Sequence, residues 1–279
     1  MSKQSGEALN IVKGNAPITA GDVTAALHAV GVEPGGVIIV HSSMSRLGWF
    51  VGGAISVVHG VLDAVGDDGT VVMPAQTGMS DPSTWVNPPV PEGWWPTIRA
   101  EWPAFDPQVT PLRAMGAVVE TFRRTPDVVH SGHPTVGFVA RGPAAAEIVA
   151  GHSLTDSLGE HSPLARLYDA GARIVLLGVG HANNTSLHLC EHRAEWPGKQ
   201  TRQDAAPMLV DGERQWVTYD DLDRDDADFP ALGEAFVAAS GAEARVPLGV
   251  GHVNAYDMAE LVDFGVRWIN ENRGGPSVQ

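Results

Sequence analysis

Apolar positions along this chain switch between a helical period and short β-branched runs. Thr19 with Asp22 three residues later is a helix-start pattern, with Asp the weaker partner than Glu at that third position. Ala25, Ala26, Leu27 and Val30 follow at helical spacing, and Gly31 is placed to end the element. Val37-Ile38-Ile39-Val40 reads as a buried strand by its length and branching. After Gly52-Gly53 a second helical pattern carries Ile55, Val58, Leu62 and Val65 and stops at Gly66; a second strand, Thr70 to Met73, is expected to end at Pro74. Further along, the pattern predicts a helix over 113–124 halted by Pro126, a strand over 135–140, and helices over 143–150 and 163–170. Arg173–Gly178 is the strongest strand signal, and a helix carrying Leu187 to Ala194 follows it. Pro207–Val210 and Gln215–Thr218, joined through Asp211-Gly212, read as a hairpin. A last helix, 254–272, shows Met258, Leu261, Val262 and Val266 on one face.

Between Asp81 and Pro111 the pattern breaks down. Eight prolines exclude a long helix or a central strand, while four tryptophans make the stretch too aromatic for disorder. An ordered loop excursion folded over the core is expected. With no internal repeat and no linker, residues 17–273 read as a single α/β domain preceded by a flexible segment, 1–16. Its mixed, mostly parallel central sheet is flanked by helices (α/β/α), and the hairpin adds an antiparallel edge.

Composition narrows the function. Eighteen Lys and Arg against 33 Asp and Glu give a net charge of −15, which disfavours nucleic-acid binding and suits a protein that collects cations. Cys190 is the only cysteine, so neither an internal disulfide nor a cysteine-rich zinc site is available. No apolar run is long enough to span a bilayer and the first residues lack an apolar leader core, so a cytoplasmic enzyme is expected.

Three strands run directly into polar or glycine-rich turns: at His41-Ser42-Ser43-Met44-Ser45, at Pro74-Ala75-Gln76-Thr77-Gly78, and at Gly178-Val179-Gly180-His181. Strand carboxyl ends meet at the ligand crevice of open α/β sheets, so together these turns predict one donor-rich site. Standard phosphate motifs are missing. Gly178-Val179-Gly180 lacks the third glycine of the dinucleotide fingerprint, and 151–155 has Thr where a nucleophile elbow needs Gly. The loop 42–53 could still hold phosphates through backbone N–H groups and the following helix start.

The richest segment is Thr185-Ser186-Leu187-His188-Leu189-Cys190-Glu191-His192. On a helix His188 shares a face with Glu191 and lies four residues from His192. Two chemistries fit: Glu191 orienting His188 as a general base, or a zinc hydrolase in which His188 and His192 hold the metal and Glu191 is the base, with Glu260 available as a further ligand. A surface helix without function has the same pattern. Cys190 points away from both histidines and reads as core. His133, before Pro134, reads as a loop hydrogen-bonder, and the remaining histidines as solvated.

Taken in order, His41-Ser42-Ser43-Met44-Ser45 with Gly52-Gly53, Gly69 to Pro74, Ser131-Gly132-His133-Pro134, Ser162-Pro163, and Leu177 to His181 leading to Asn184-Thr185-Ser186-Leu187-His188-Leu189-x-Glu191 are familiar. From Pro17 to Arg273 the chain resembles the aminoglycoside 3-N-acetyltransferase (antibiotic N-acetyltransferase) family, which does not share the GNAT fold. The resemblance implies acetyl-CoA as donor and the 3-amino group of a 2-deoxystreptamine aminoglycoside, or another amine, as acceptor, with no metal and a monomeric or homodimeric enzyme that confers resistance when expressed. It makes His188 the base, polarised by Glu191, with Thr185 and nearby amides as oxyanion donors. It places His41, Ser42, Ser43, Arg46, Val51, Gly52 and Gly53 on the coenzyme loop, with Met115, Gly116 and His133 near it. Asp81, Asp221 and Asp223 match acidic positions that contact the drug, and Asp156 and Glu160 are further candidates. Half or more of the acid run 220–228 is expected to be a solvated face. Where the family usually has Arg, this chain has His130.

Overall fold

The first start signal folds as a reciprocal capping box. Thr19 Oγ1 accepts from the Asp22 amide at 3.2 Å, and an Asp22 carboxylate oxygen accepts from the Thr19 amide at 2.8 Å, so Asp closes the box as Glu would. Helix α1 follows as Ala20–Ala29, and α2 as Ala54–Val65 with Gly66 at its end. The computed structural model describes residues 11, 14, 16–86, 88–241 and 243–274. Most of the segment 1–16, expected to be flexible, lies outside the described residues.

Among the described residues, seven strands form one sheet: β1 Val37–Ser42, β2 Thr70–Gln76, β3 Val129–His130, β4 Val136–Arg141, β5 Arg173–Leu177, β8 Ala244–Leu248 and β9 Gly251–Asp257. Their order is β3-β4-β2-β1-β5-β9-β8. β1 lies between β2 and β5 and is parallel to both; β4 and β9 run against this trio, and β3 and β8 return to its direction. Five of the seven strands therefore share one direction, the mixed, mostly parallel sheet that was expected, although four of the six neighbouring pairings are antiparallel.

Alternation along each strand builds a core on both faces. Ile38, Val40, Val71, Met73, Val175 and Leu177 point to one side, where they meet α1, α2 and α4 (Ala117–Phe122) through Leu27, Val58, Val61 and Phe122. Ile39, Val72, Ile174 and Leu176 point to the other. There they meet α5 (Ala145–Val149), α6 (Pro163–Asp169), α7 (His188–Arg193), α8 (Phe229–Ser240) and α9 (Met258–Asn272). This is the α/β/α layering read from the sequence. Cys190 lies in the second layer, fully buried against Gly265 of α9, and burial pushes its thiol up, as suits an inert core residue.

Four expectations need correction. β2 does not stop at Pro74 but continues to Gln76. The Thr70 amide donates toward β1, to Gly36 O, so strand alternation turns the Pro74 nitrogen to that same side, where pairing has already ended at Val72. The helix expected over 113–124 is only α4, because Ala114 has a left-handed φ of 58° and Gly116 caps the helix start. The last helix begins at Met258; residues 251–257 are β9 instead, a polar-alternating strand that helical periodicity hid. The hairpin, β6 (Thr201–Val210) and β7 (Glu213–Leu222), is longer than expected and forms its own two-stranded sheet, not an edge of the central one.

The Pro/Trp excursion is ordered by polar ties. Short 3-10 turns (Pro82–Thr84 and Glu92–Trp94) and helix α3 (Trp95–Glu101) carry Trp85 edge-on to Trp102 at 5.4 Å. Arg214 of β7 donates to Trp102 O at 2.7 Å, and the Phe105 amide donates to Pro207 O at 2.8 Å, so the excursion rests on the hairpin. Among the described residues no helix is long and apolar enough to cross a membrane.

Candidate active site

β1 and β5 run parallel and end side by side, Ser42 opposite Leu177. The Ser43 amide still donates to Leu177 O at 2.9 Å, which folds the turn after β1 across the end of β5. A cavity of about 920 Å³ opens here, walled by Ser42 to Arg46, Gly52-Gly53 and Met115 to Val118. Among its lining residues Arg46 alone is charged. Gly52-Gly53 line the cavity and lead into α2, whose start has no side-chain cap. A second cavity, about 290 Å³, shares Ser42, Ala114, Met115, Val179 and Asn183 with the first and holds His41, Thr185, His188, Asp226 and Phe229.

His188 reaches this cavity because of the turn before it. Asn184 Oδ1 accepts from the Ser186 amide at 3.2 Å, starting a 3-10 turn, Thr185–Leu187, that runs directly into α7. Leu187, Leu189 and Cys190 anchor the turn and helix in the core, which leaves the His188 face toward the cavity. His188 Nδ1 donates to Glu191 Oε2. The carboxylate is fully buried, and its other oxygen accepts from the Asp225 amide at 2.9 Å and from Arg273. Burial disfavours the Glu191 anion, but the bonds from His188, Asp225 and Arg273 outweigh it and hold the carboxyl below its ordinary value. Burial pushes the His188 imidazole down, against the pull of Glu191, so the pair rests as neutral imidazole beside carboxylate. With Nδ1 engaged, Nε2 is the nitrogen left for chemistry, and Phe229 meets the ring edge-on at 4.9 Å.

His41 is buried and pushed down to about 3, chiefly by desolvation and then by His181 and His188. Its Nε2 accepts from the Thr185 amide at 3.0 Å, fixing the tautomer with hydrogen on Nδ1. That bond occupies the Thr185 amide, and Thr185 is among the residues that line the cavity.

Ser42, Ser43, Arg46, Gly52, Gly53, Met115 and Gly116 all line the larger cavity. Three residues expected with them do not, and of these His41 lines the smaller cavity instead. Val51 is outward, 44% exposed, and His133 is buried behind the sheet, where its Nδ1 accepts from the Thr135 and Val136 amides at 3.1 Å. It packs tilted against His152 and edge-on to Tyr219, so it is the loop hydrogen-bonder that the Pro134 context suggested, and it lines neither cavity. His41 and His133 are buried, not solvated, because each spends a ring nitrogen on backbone amides.

The acidic candidates are placed differently from the expectation. Asp81 is clamped by Arg99 at 2.7 and 2.8 Å; burial opposes its charge, but Arg99 and Ser83 hold it at about 2. Asp156 bridges His161 and His192, each at 2.9 Å, and Glu160 pairs with Arg193 at 2.6 Å. Asp221 is buried against Ser157 and Arg224, and Asp223 faces Arg202 at 3.4 Å. None of the five lines either cavity. Asp226, exposed in the same acid run, lines the cavity of His188. Its spacing within six aspartates gave no signal that distinguished it. His188 and His192 spend Nδ1 on different carboxylates, and among the described residues no three His, Cys, Asp or Glu side chains are grouped to hold a metal ion.

The family model described as aminoglycoside 3-N-acetyltransferase matches residues 39–270. The chain is 39% identical to the SPbeta prophage-derived aminoglycoside N(3')-acetyltransferase-like protein YokD of Bacillus subtilis (strain 168), over 92% of this chain and 94% of that protein. It is 37% identical to aminoglycoside N(3)-acetyltransferase VIII of Streptomyces fradiae, over 95% of this chain and 96% of the relative. The crystal structure of YokD superposes with a TM-score of 0.91 at 37% identity, covering 95% of this chain and 98% of that one. A binary complex of AAC-IIIb with CoASH does so at 0.83 and 30% identity, covering 94% and 100%. AAC-VIa bound to sisomicin gives 0.80 and 27% identity, covering 93% and 100%.

Proposed function

Since the chain belongs to the aminoglycoside 3-N-acetyltransferase family, we propose that it moves an acetyl group from acetyl-CoA to the 3-amino group of a 2-deoxystreptamine aminoglycoside. The observation that carries this reading is the His188–Glu191 pair facing a cavity that joins the serine- and glycine-lined one. The larger cavity fits a polyanionic coenzyme: it has Arg46 but no carboxylate on its wall, and an uncapped helix start beside Gly53. Its relative AAC-IIIb, solved with CoASH, supports that assignment. The smaller cavity has Asp226 on its wall together with Arg113, and the overall charge of −15 suits a cationic acceptor. Residues 17–273 act as one catalytic domain in the cytoplasm, where acetyl-CoA is made.

His188 Nε2 accepts the proton of the acceptor amine as the new N–C bond forms at the acetyl carbonyl. Glu191 keeps the imidazole in the tautomer that leaves Nε2 free and stabilises the imidazolium that results. His188 then returns the proton to the departing sulfur as the C–S bond breaks. The Thr185 hydroxyl, from a residue on the wall of the same cavity, is the candidate donor to the carbonyl oxygen.

Purified protein with acetyl-CoA and a panel of aminoglycosides is expected to release free thiol only with members that bear a 3-amino group. No thiol with any of them overturns the acceptor assignment; thiol with amines regardless of the 3-position points to another acceptor. Within that assay, Asp226→Asn is expected to raise acceptor KM roughly two- to fivefold, the value of one exposed ion pair, with acetyl-CoA KM unchanged. High salt removes the same difference by screening.

A further inference from the structure

Arg273, the residue that closes α9, reaches back across the molecule to the carboxylate behind the base. Its side chain is only 10% exposed and ion-paired to both Glu191 and Asp228. Nη1 donates to Glu191 Oε1; Nε and Nη2 donate to the two Asp228 oxygens, and Nη2 also to Asp225 O at 2.6 Å. The guanidinium lies 5.1 Å from the Trp196 ring centroid and 5.9 Å from that of Phe229, the ring that meets His188 edge-on. It therefore touches both groups that hold His188. It also ties down residues 225 and 228, which flank Asp226 at the cavity wall. Arg273 lies beyond the segment, 39–270, that the family model matches.

We propose that Arg273 is a positioning residue: it fixes the Glu191 carboxylate and neutralises part of its charge, and so sets both the orientation and the proton affinity of His188. The inference rests on the reading of His188 as the base. A carboxylate shared between a guanidinium and an imidazole attracts the imidazole proton less than one with the imidazole alone. The titratable and charged groups facing His188 are Glu191, Arg224, Asp226 and His41, with Arg113 on the wall of the same cavity; those facing Glu191 are His188 and Arg273. Removing Arg273 leaves that balance more negative. The imidazole then binds its proton more tightly, and the carboxyl itself protonates more easily. Both changes move the acid limb of the rate profile to higher pH, because the working state is neutral imidazole beside ionised carboxylate.

The test uses the full chain with Arg273→Met and Arg273→Lys. His188 is followed by histidine NMR, assigned with His188→Gln, and thiol release is measured across pH. Arg273→Met is expected to titrate His188 at higher pH than wild type, in a protein whose other resonances are unmoved, and to lose roughly 10- to 100-fold in kcat at little change in acetyl-CoA KM. Arg273→Lys keeps the charge but not the fork. It is expected to titrate like wild type and still lose several-fold in kcat, and it carries the test if the Met variant does not fold. Wild-type kcat in the Lys variant, or an unmoved titration in a folded Met variant, overturns the proposal. A wild-type protein whose His188 titrates as described but releases no thiol instead overturns the base assignment beneath it.

Discussion

Replacing His188 by alanine is expected to lower kcat for thiol release by roughly 10²- to 10⁴-fold, the span that a positioned general base supplies. Acetyl-CoA binding should be nearly unchanged, because His188 belongs to the smaller cavity and does not line the larger one. The pH profile gives the second half of the prediction. Burial holds the His188 imidazole below its ordinary value, despite the opposing bond from Glu191. The neutral, active form therefore persists as pH falls through the usual histidine range, and kcat/KM for the wild type should stay level there. Activity then drops at lower pH as the ring protonates. The alanine variant should lose that acid limb altogether. A variant within threefold of wild-type kcat, or one that keeps the same acid limb, would show that the proton goes elsewhere.

The same chemistry explains why Glu191 needs complete burial. An exposed carboxylate would be screened by water and would hold the imidazole in no particular rotation. In the core it is costly unless fully bonded, and three donors meet that cost: His188, the Asp225 amide and Arg273. These donors come from α7, from the loop before α8 and from the end of α9, so the helical layer on that face of the sheet is itself part of the catalytic support.

Much of this was legible in the sequence, and the rest was hidden for identifiable reasons. β1 and β5 were visible because fully buried strands are continuous apolar runs, and α2 because its apolar stripe lies between Gly53 and Gly66. The pair at 188 and 191 was visible because helical spacing is local. β8 and β9 were not, since Pro247 interrupts β8, the alternation of β9 is short and runs straight into the last helix, and both depend on pairing with distant residues of the sheet. α8 was obscured by the acid run that leads into it. The roles of individual aspartates were least legible: Asp81 is met by Arg99 through the folded excursion, Asp221 is buried against Arg224 and Ser157, and Asp226 lies exposed at the cavity wall. A family match transfers position, but an ion pair depends on the partner's path through space.

Gly178→Ala is expected to damage both stability and the coenzyme wall, and Gly53→Ala gives its internal control. Both glycines have left-handed backbone, φ 72° and 68°, so each alanine bears roughly 1 kcal/mol of conformational strain. They differ in space. A Cβ on Gly53 would meet nothing within 4 Å, whereas one on Gly178 would lie 2.7 Å from Ser43 O and 2.8 Å from Leu47 Cγ. The first of these is backbone, in the very turn that crosses the end of β5, and cannot rotate away. Relieving the clash must push the Ser43–Leu47 turn off the sheet, adding about 1–3 kcal/mol of overpacking. The total, roughly 2–4 kcal/mol, is a large part of a typical stability and should lower the melting temperature by several degrees. Because Ser43 and Arg46 line the larger cavity, the displaced turn should also raise acetyl-CoA KM several-fold. Gly53→Ala should lose only about 1 kcal/mol by the strain alone. Thermal melts and acetyl-CoA titration of the two variants separate the contributions. Equal melting temperatures for the pair would mean that the turn after β1 yields freely, and that the end of β5 does not fix the coenzyme wall.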